Sequence, residues 1–131
     1  MNKITKEDYK DLIGTRLDDI SFSLYLLILN FSGSVGRIHI KTAKKLELRN
    51  NKTGEVQSGD ANKGKACCIC LNMLLNETIV SYDIISPKGD FILNFSNDYT
   101  LVIYNDLTWD DTYQINIDGA HFLSGDNVTE F

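Results

Sequence analysis

Three cysteines within four residues, Cys67, Cys68 and Cys70, are the first side chains whose spacing could carry chemistry. Cys67 and Cys70 form a CxxC, and on a helix the pair shares one face. A redox site of that kind sits at the N-terminus of a helix that follows a strand, where amides and the helix dipole lower a thiol pKa. Here a polar, lysine-containing stretch precedes the pair and Cys68 intrudes. The preferred reading is three unpaired thiols acting as small buried hydrophobes. A small thiol-dependent redox enzyme using Cys67 and Cys70 stays as an alternative. Zinc would need two further good ligands, for which the chain offers only His39 and His121 as nitrogen donors.

His39 lies between Ile38 and Ile40 on the polar side of an alternating segment, and His121 follows Gly119-Ala120. Imidazoles can act as acids and bases, but no nucleophile elbow or comparable motif accompanies them. Both are read as surface histidines, and no catalytic residue, metal or cofactor is expected. A third cluster, Asp106, Asp110, Asp111 and Asp118, surrounds Trp109 and Tyr113. Neighbouring carboxylates in one loop seldom adopt the opposed geometry of paired acid–base catalysis. Binding suits them better, with Trp109 and Tyr113 as aromatic anchors and the aspartates pairing with basic groups of a partner. The competing reading makes Trp109 a core residue and the aspartates turn caps.

The elements that must hold these groups are mostly strands. Leu17 to Phe31 is rich in apolar residues on both alternating faces and reads as one covered strand. Ile38 and Ile40 alternate with Arg37, His39 and Lys41, the pattern of a half-buried strand. Leu46, Leu48 and Val56 flank a turn at Asn50 to Gly54 with polar, edge-like surroundings. In KACCICLNMLLN, apolar residues at helical spacing predict one helix over about 63–75, packed on a sheet. Further strands are expected at Ile79 to Ile85, around Phe91, Leu93 and Phe95, at Leu101 and Ile103, and at Tyr113, Ile115 and Ile117, with a last pairing near Phe122.

One pattern occurs twice. LILNFS at Leu27 to Ser32 matches FILNFS at Phe91 to Ser96, 64 residues later, and each is followed by a polar turn and an alternating strand. Similar segments lead into them, LIGTRLDDIS from Leu12 and LLNETIVSYD from Leu74. The expectation is a single α+β domain over 1–131, mainly antiparallel sheet in an open barrel or sandwich. Its two related hairpin units would cover about 12–41 and 74–104.

Composition agrees with a folded globule: 131 residues, 43% apolar, one proline. A chain this long buries roughly two-thirds of its extended surface without needing a disulfide or metal. Net charge is −5 but uneven: residues 1–75 carry 12 Lys/Arg against 8 Asp/Glu, or +4, and residues 76–131 carry 1 against 10, or −9. An acidic half argues against a nucleic-acid backbone binder and is compatible with a basic protein partner, and acidic loops that merely keep a small protein soluble are the competing reading; no membrane partner is expected. Lys41, Lys44, Lys45, Arg49 and Lys52 form the one basic run, which lacks interleaved aromatics and reads as a solvated hairpin. No apolar secretory segment opens the sequence and the longest purely apolar stretch is six residues, Leu24 to Leu29, so a cytoplasmic location is expected.

The order IGTRLDDISFS, then FILNFSNDYTLVIYN, then WDDTYQI resembles a family of small β-rich bacterial domains found among the cytoplasmic immunity proteins of polymorphic toxin systems, including contact-dependent growth inhibition. The resemblance spans about residues 12–117 and rests on Phe31, Phe95, Asn97, Asp98, Trp109, Asp111 and Tyr113. The first turn, Gly33-Ser34-Val35-Gly36, departs from the Asn-Asp type of the second. The resemblance implies an antitoxin that neutralises a cognate toxin, often a nuclease, by stoichiometric binding, and it brings no catalytic residue. The other alternative is a small-ligand binding or scaffold domain.

Overall fold

The computed structural model describes residues 10–22, 26–33, 36–42, 45–60, 70–85, 89–105, 113–117 and 120–124. Among these described residues, ten strands form two open five-stranded sheets, antiparallel throughout. The strands are β1 (Arg16–Phe22), β2 (Leu27–Gly33), β3 (Gly36–Thr42), β4 (Lys45–Asn50), β5 (Val56–Asp60), β6 (Ile79–Ile85), β7 (Asp90–Phe95), β8 (Tyr99–Ile103), β9 (Tyr113–Ile117) and β10 (Ala120–Ser124). The first sheet has the order β1-β2-β3-β9-β10 and the second β5-β4-β8-β7-β6.

Alternation explains the layering. Leu27, Leu29 and Phe31 of β2 are buried while Ile28, Asn30 and Ser32 are half-buried, and Phe91, Leu93 and Phe95 of β7 repeat the arrangement around Ile92 and Asn94. The inward faces meet in one core, in which the Phe31 and Phe95 rings stack with centroids 6.3 Å apart. Neither sheet closes into a barrel.

Two expectations need correction. Leu17 to Phe31 is not one strand but the hairpin β1–β2, paired from Arg16↔Ser32 to Phe22↔Leu27. Fifteen residues exceed the usual strand length, and folding the run back lets Leu17, Leu29 and Phe31 reach the same core. The helix over about 63–75 is also absent where the structure describes it. Leu71–Leu74 form a four-residue 3-10 turn with Leu71 and Leu74 buried. An i, i+3 pair satisfies a three-residue turn as well as an α-helix, so the spacing did not distinguish them; residues 61–69 lie outside the described part.

The two ILNFS segments have matching surroundings. Both hairpins carry a bulge at the same place, between Leu17 and Asp19 in β1 and between Ile79 and Ser81 in β6. Both are preceded by a 3-10 turn, over 10–12 and over Leu71–Leu74, followed by a residue with positive φ, Gly14 at 88° and Asn76 at 68°. The segments leading into β1 and β6 meet at a single bridge, Arg16↔Thr78. Around it the bonds come in equivalent pairs. The Leu17 amide donates to the Glu77 carbonyl at 3.0 Å and the Ile79 amide to the Thr15 carbonyl at 2.9 Å; Gly14 donates to Ile79 and Asn76 to Leu17, each at 2.8 Å. A local two-fold relation thus passes through the bridge.

The segment between the two hairpins is no passive linker. The β4–β5 hairpin, which follows β3 in the chain, adds to β8 of the other sheet, and β9–β10, which follows β8, adds to β3. Each five-strand half therefore gives three strands to one sheet and a hairpin to the other. The interlock makes each half depend on the other for its core.

Two stability predictions arise here. Asn and Gly are the residues that tolerate left-handed backbone, so Gly14→Ala is expected to cost about 1–2 kcal/mol, read as a lower denaturation midpoint at unchanged m-value. Thr42 is buried and its Oγ1 has no hydrogen-bond partner among the described residues, whereas the register places Ile103 at the equivalent position of the second copy. Thr42→Val removes that orphaned hydroxyl and is expected to stabilise by about 1 kcal/mol, seen in the same denaturation experiment.

Candidate functional site

Strand pairing, rather than sequence proximity, assembles the polar groups. Across the first sheet the register aligns Asp19 with Asn30, Asn30 with His39, His39 with Asn116 and Asn116 with His121. Asp19, Asn30 and His39 share the outer face, because directly paired residues of neighbouring strands point the same way. Asn30 Nδ2 donates to Asp19 Oδ2 at 3.1 Å, Ser21 Oγ donates to the same oxygen at 3.3 Å, and His39 Nδ1 bonds Asn30 Oδ1.

Beside this row lies a half-open recess of about 570 Å³, lined by Asp18, Asp19, Asn30, Ser32, Arg37 and His39. Its two ends differ. At one, Arg16 Nε donates to Asp18 Oδ1 at 3.0 Å. A hydrogen bond from Ser32, then those from Arg16 and the nearby charge of Arg37, hold the Asp18 carboxyl below its ordinary range. Any stability Asp18 contributes is therefore complete above its unfolded pKa and is lost as pH falls through the lower folded value. At the other end Asp19 is held by neutral donors alone.

The second sheet offers the equivalent row without the charge. Ser81, Asn94 and Thr100 stand where Asp19, Asn30 and His39 stand in the first. Asn94 Nδ2 donates to Ser81 Oγ at 2.9 Å, Thr100 Oγ1 donates to Asn94 Oδ1 at 2.7 Å, and Asn51 Nδ2 donates to Thr100 Oγ1 at 2.8 Å. Asn51, from the β4–β5 turn, covers the end of the row, and Thr100 is buried. One copy is a closed ladder and the other an open, ionised one.

Of the residues predicted from the sequence, Asp106, Trp109, Asp110, Asp111 and Asp118 lie outside the described residues. Tyr113 starts β9, paired with Thr42. His39 belongs to the outer row, and in the backbone register it pairs with Asn116 of β9, which pairs with His121 of β10. Cys67 and Cys68 lie outside the described residues. Cys70 is exposed, which corrects its assignment as a buried hydrophobe. It precedes the 3-10 turn, and its amide donates to Gln57 Oε1 at 2.8 Å.

Three residues of the basic run, Lys45, Arg49 and Lys52, are occupied within the chain. Arg49 pairs with Glu47 at 3.0 Å, Lys52 with Asp98 at 3.5 Å, and Lys45 lies 5.0 Å from the centre of the Tyr104 ring. Burial, then the hydrogen bond and charge of Glu47, raise the Tyr104 pKa above the ordinary 10.0. Its contribution to stability is complete below that ordinary value and is lost as pH rises through the folded one. Absorbance titration of the chain against Tyr104→Phe is expected to show one phenol ionising above the ordinary 10.0 that is missing from the variant.

Asp18, Asp19, Asn30 and Arg37 are not among the residues that sequence patterns single out. Their signal is an Asn in the middle of each apolar ILNFS strand and an Asp pair in the preceding strand. No group of three or more His, Cys, Asp or Glu that could hold a metal occurs among the described residues, and no helix among them is long and apolar enough to cross a membrane. No family model, curated protein or solved structure matches the chain.

Proposed function

We propose that this chain is a non-catalytic binding protein that neutralises a cognate protein toxin by stoichiometric occupation, with a nuclease as the first toxin class to test. It would act in the cytoplasm, as an antitoxin protecting its own cell. The observation that carries the binding reading is the contrast between the two outer rows. Equivalent positions on equivalent strands are closed and uncharged in one sheet, but flank an ionised recess in the other. Structural need alone is met by the closed ladder, so the charged version points to recognition. The resemblance to immunity domains supplies the partner class, and the −9 balance of residues 76–131 supplies its complementary charge.

The test is whether a toxin-like domain is encoded beside this chain and whether the chain binds it. A 1:1 complex that abolishes the domain's activity supports the reading; full activity in the presence of excess chain sinks it. Reversing charge at Asp110 and Asp111 to lysine is expected to slow association several-fold at low salt, with the difference shrinking as salt screens it. Stopped-flow traces that do not change would move the interface away from that segment.

The recess favours a second reading, a small-ligand binding domain, since its volume falls in the range of small-molecule sites. A metabolite carried through purification and identified by mass spectrometry, with no protein partner, would support it.

A further inference from the structure

The hydrogen-bond directions in the open row run one way. Asp19, as a carboxylate, can only accept, so the Asn30 amide must turn Nδ2 towards it. That leaves Asn30 Oδ1 facing His39, and an amide oxygen also only accepts. His39 must therefore carry its proton on Nδ1, and the neutral imidazole presents the lone pair of Nε2. Among the described residues Nε2 has no partner, and Asp19 has no cationic one. The Asp19–His39 end of the recess thus offers mainly hydrogen-bond acceptors, with one carboxylate that has no ion pair among the described residues and the second Asn30 Nδ2 hydrogen as its spare donor.

A surface of acceptors selects a ligand made of donors. Arginine and lysine are the permanently charged side chains with donors and no acceptors, which the Asp19 carboxylate favours over the neutral donor of tryptophan, and arginine's planar fork can send one N–H to a carboxylate and another to a neighbouring acceptor. Arg16 and Arg37 belong to the other end, where Asp18 is neutralised, so they do not fill this role. We infer that the recess beside Asp19, Asn30 and His39 is a docking site for a guanidinium group, supplied by an arginine side chain of a protein partner. This deepens the reading above by naming the partner's chemistry, but it is tested without the partner.

The probe is N-acetyl-arginine methylamide, titrated into the full chain and followed by amide ¹H–¹⁵N shifts, with its citrulline analogue as the uncharged isostere. Saturable shifts are expected at Asp19, Asn30 and His39, with citrulline weaker by roughly tenfold or more. The double variant Asp19→Ser, His39→Thr copies the second sheet's row, which the same fold already carries, and is expected to stay folded and lose the shifts. Long-range ¹H–¹⁵N correlation on the unmodified chain should find the neutral His39 proton on Nδ1. Equal binding of citrulline, shifts that persist in the double variant, or a proton on Nε2 would each overturn the inference.

The two readings fail separately. A chain that takes arginine at the recess but leaves the neighbouring toxin domain active removes the toxin partner and keeps the site. Undiminished neutralisation by the double variant keeps the toxin partner and removes the site.

Discussion

Replacing Phe31 by alanine is expected to destabilise the fold by about 3–5 kcal/mol, a large share of the roughly 5–15 kcal/mol that holds a domain of this size together. The ring is almost wholly buried and stands where β2 meets the opposite sheet, stacked on Phe95. Its loss removes apolar area and leaves a cavity that two hydrogen-bonded sheets cannot easily collapse to fill. Thermal unfolding should fall by on the order of 10–20 °C. Phe95→Ala should behave alike, because the register gives it the equivalent place. The double variant should cost less than the sum, by about 0.5–1.5 kcal/mol for the lost ring pair. Strict additivity in that cycle would show that the two rings contribute independently.

Phe31 and Phe95 belong to the part of the fold most open to reading from the chain. They stand at matching places in two copies of ILNFS, and strand alternation alone sends Leu29 and Leu93 to the same side as the rings. The inward Ile38 and Ile40, and the hairpin turn closed by Asn50 and Gly54, are equally plain, since both depend on neighbours a few residues away. What stays hidden depends on distant pairing. Nothing in the pattern of Leu46 and Leu48 says that β4 joins β8, more than fifty residues on, in place of its neighbour β3. The false helix has the same origin: Leu71 and Leu74 need burial, and their spacing is silent on how much helix surrounds them.

The candidate site is less legible for the same reason. Asp19 and Asn30 are 11 residues apart, Asn30 and His39 9 apart, and all three are ordinary polar positions on three different strands. Only the register, with its bulge between Leu17 and Asp19, brings them into line. A one-residue slip would turn the whole set inward. The acidic-aromatic segment draws attention because it is contiguous, and contiguity is the one kind of proximity a sequence displays directly.

If the two rows have divided structure from recognition between them, equivalent substitutions should have unequal effects. Thr100→Val is expected to cost about 1–3 kcal/mol, because it takes from Asn94 and Asn51 the hydroxyl they share at a buried position. His39→Thr should change stability by less than about 0.5 kcal/mol, since the threonine hydroxyl can donate to Asn30 as Thr100 does to Asn94 and the site is half open to water. Chemical denaturation of both variants measures the contrast directly. Comparable costs would mean that the open row is as structural as the closed one, and the case for recognition at the recess would lose its footing. A large gap, with the first row expendable for folding, leaves its ionised groups free to have been selected for what they bind.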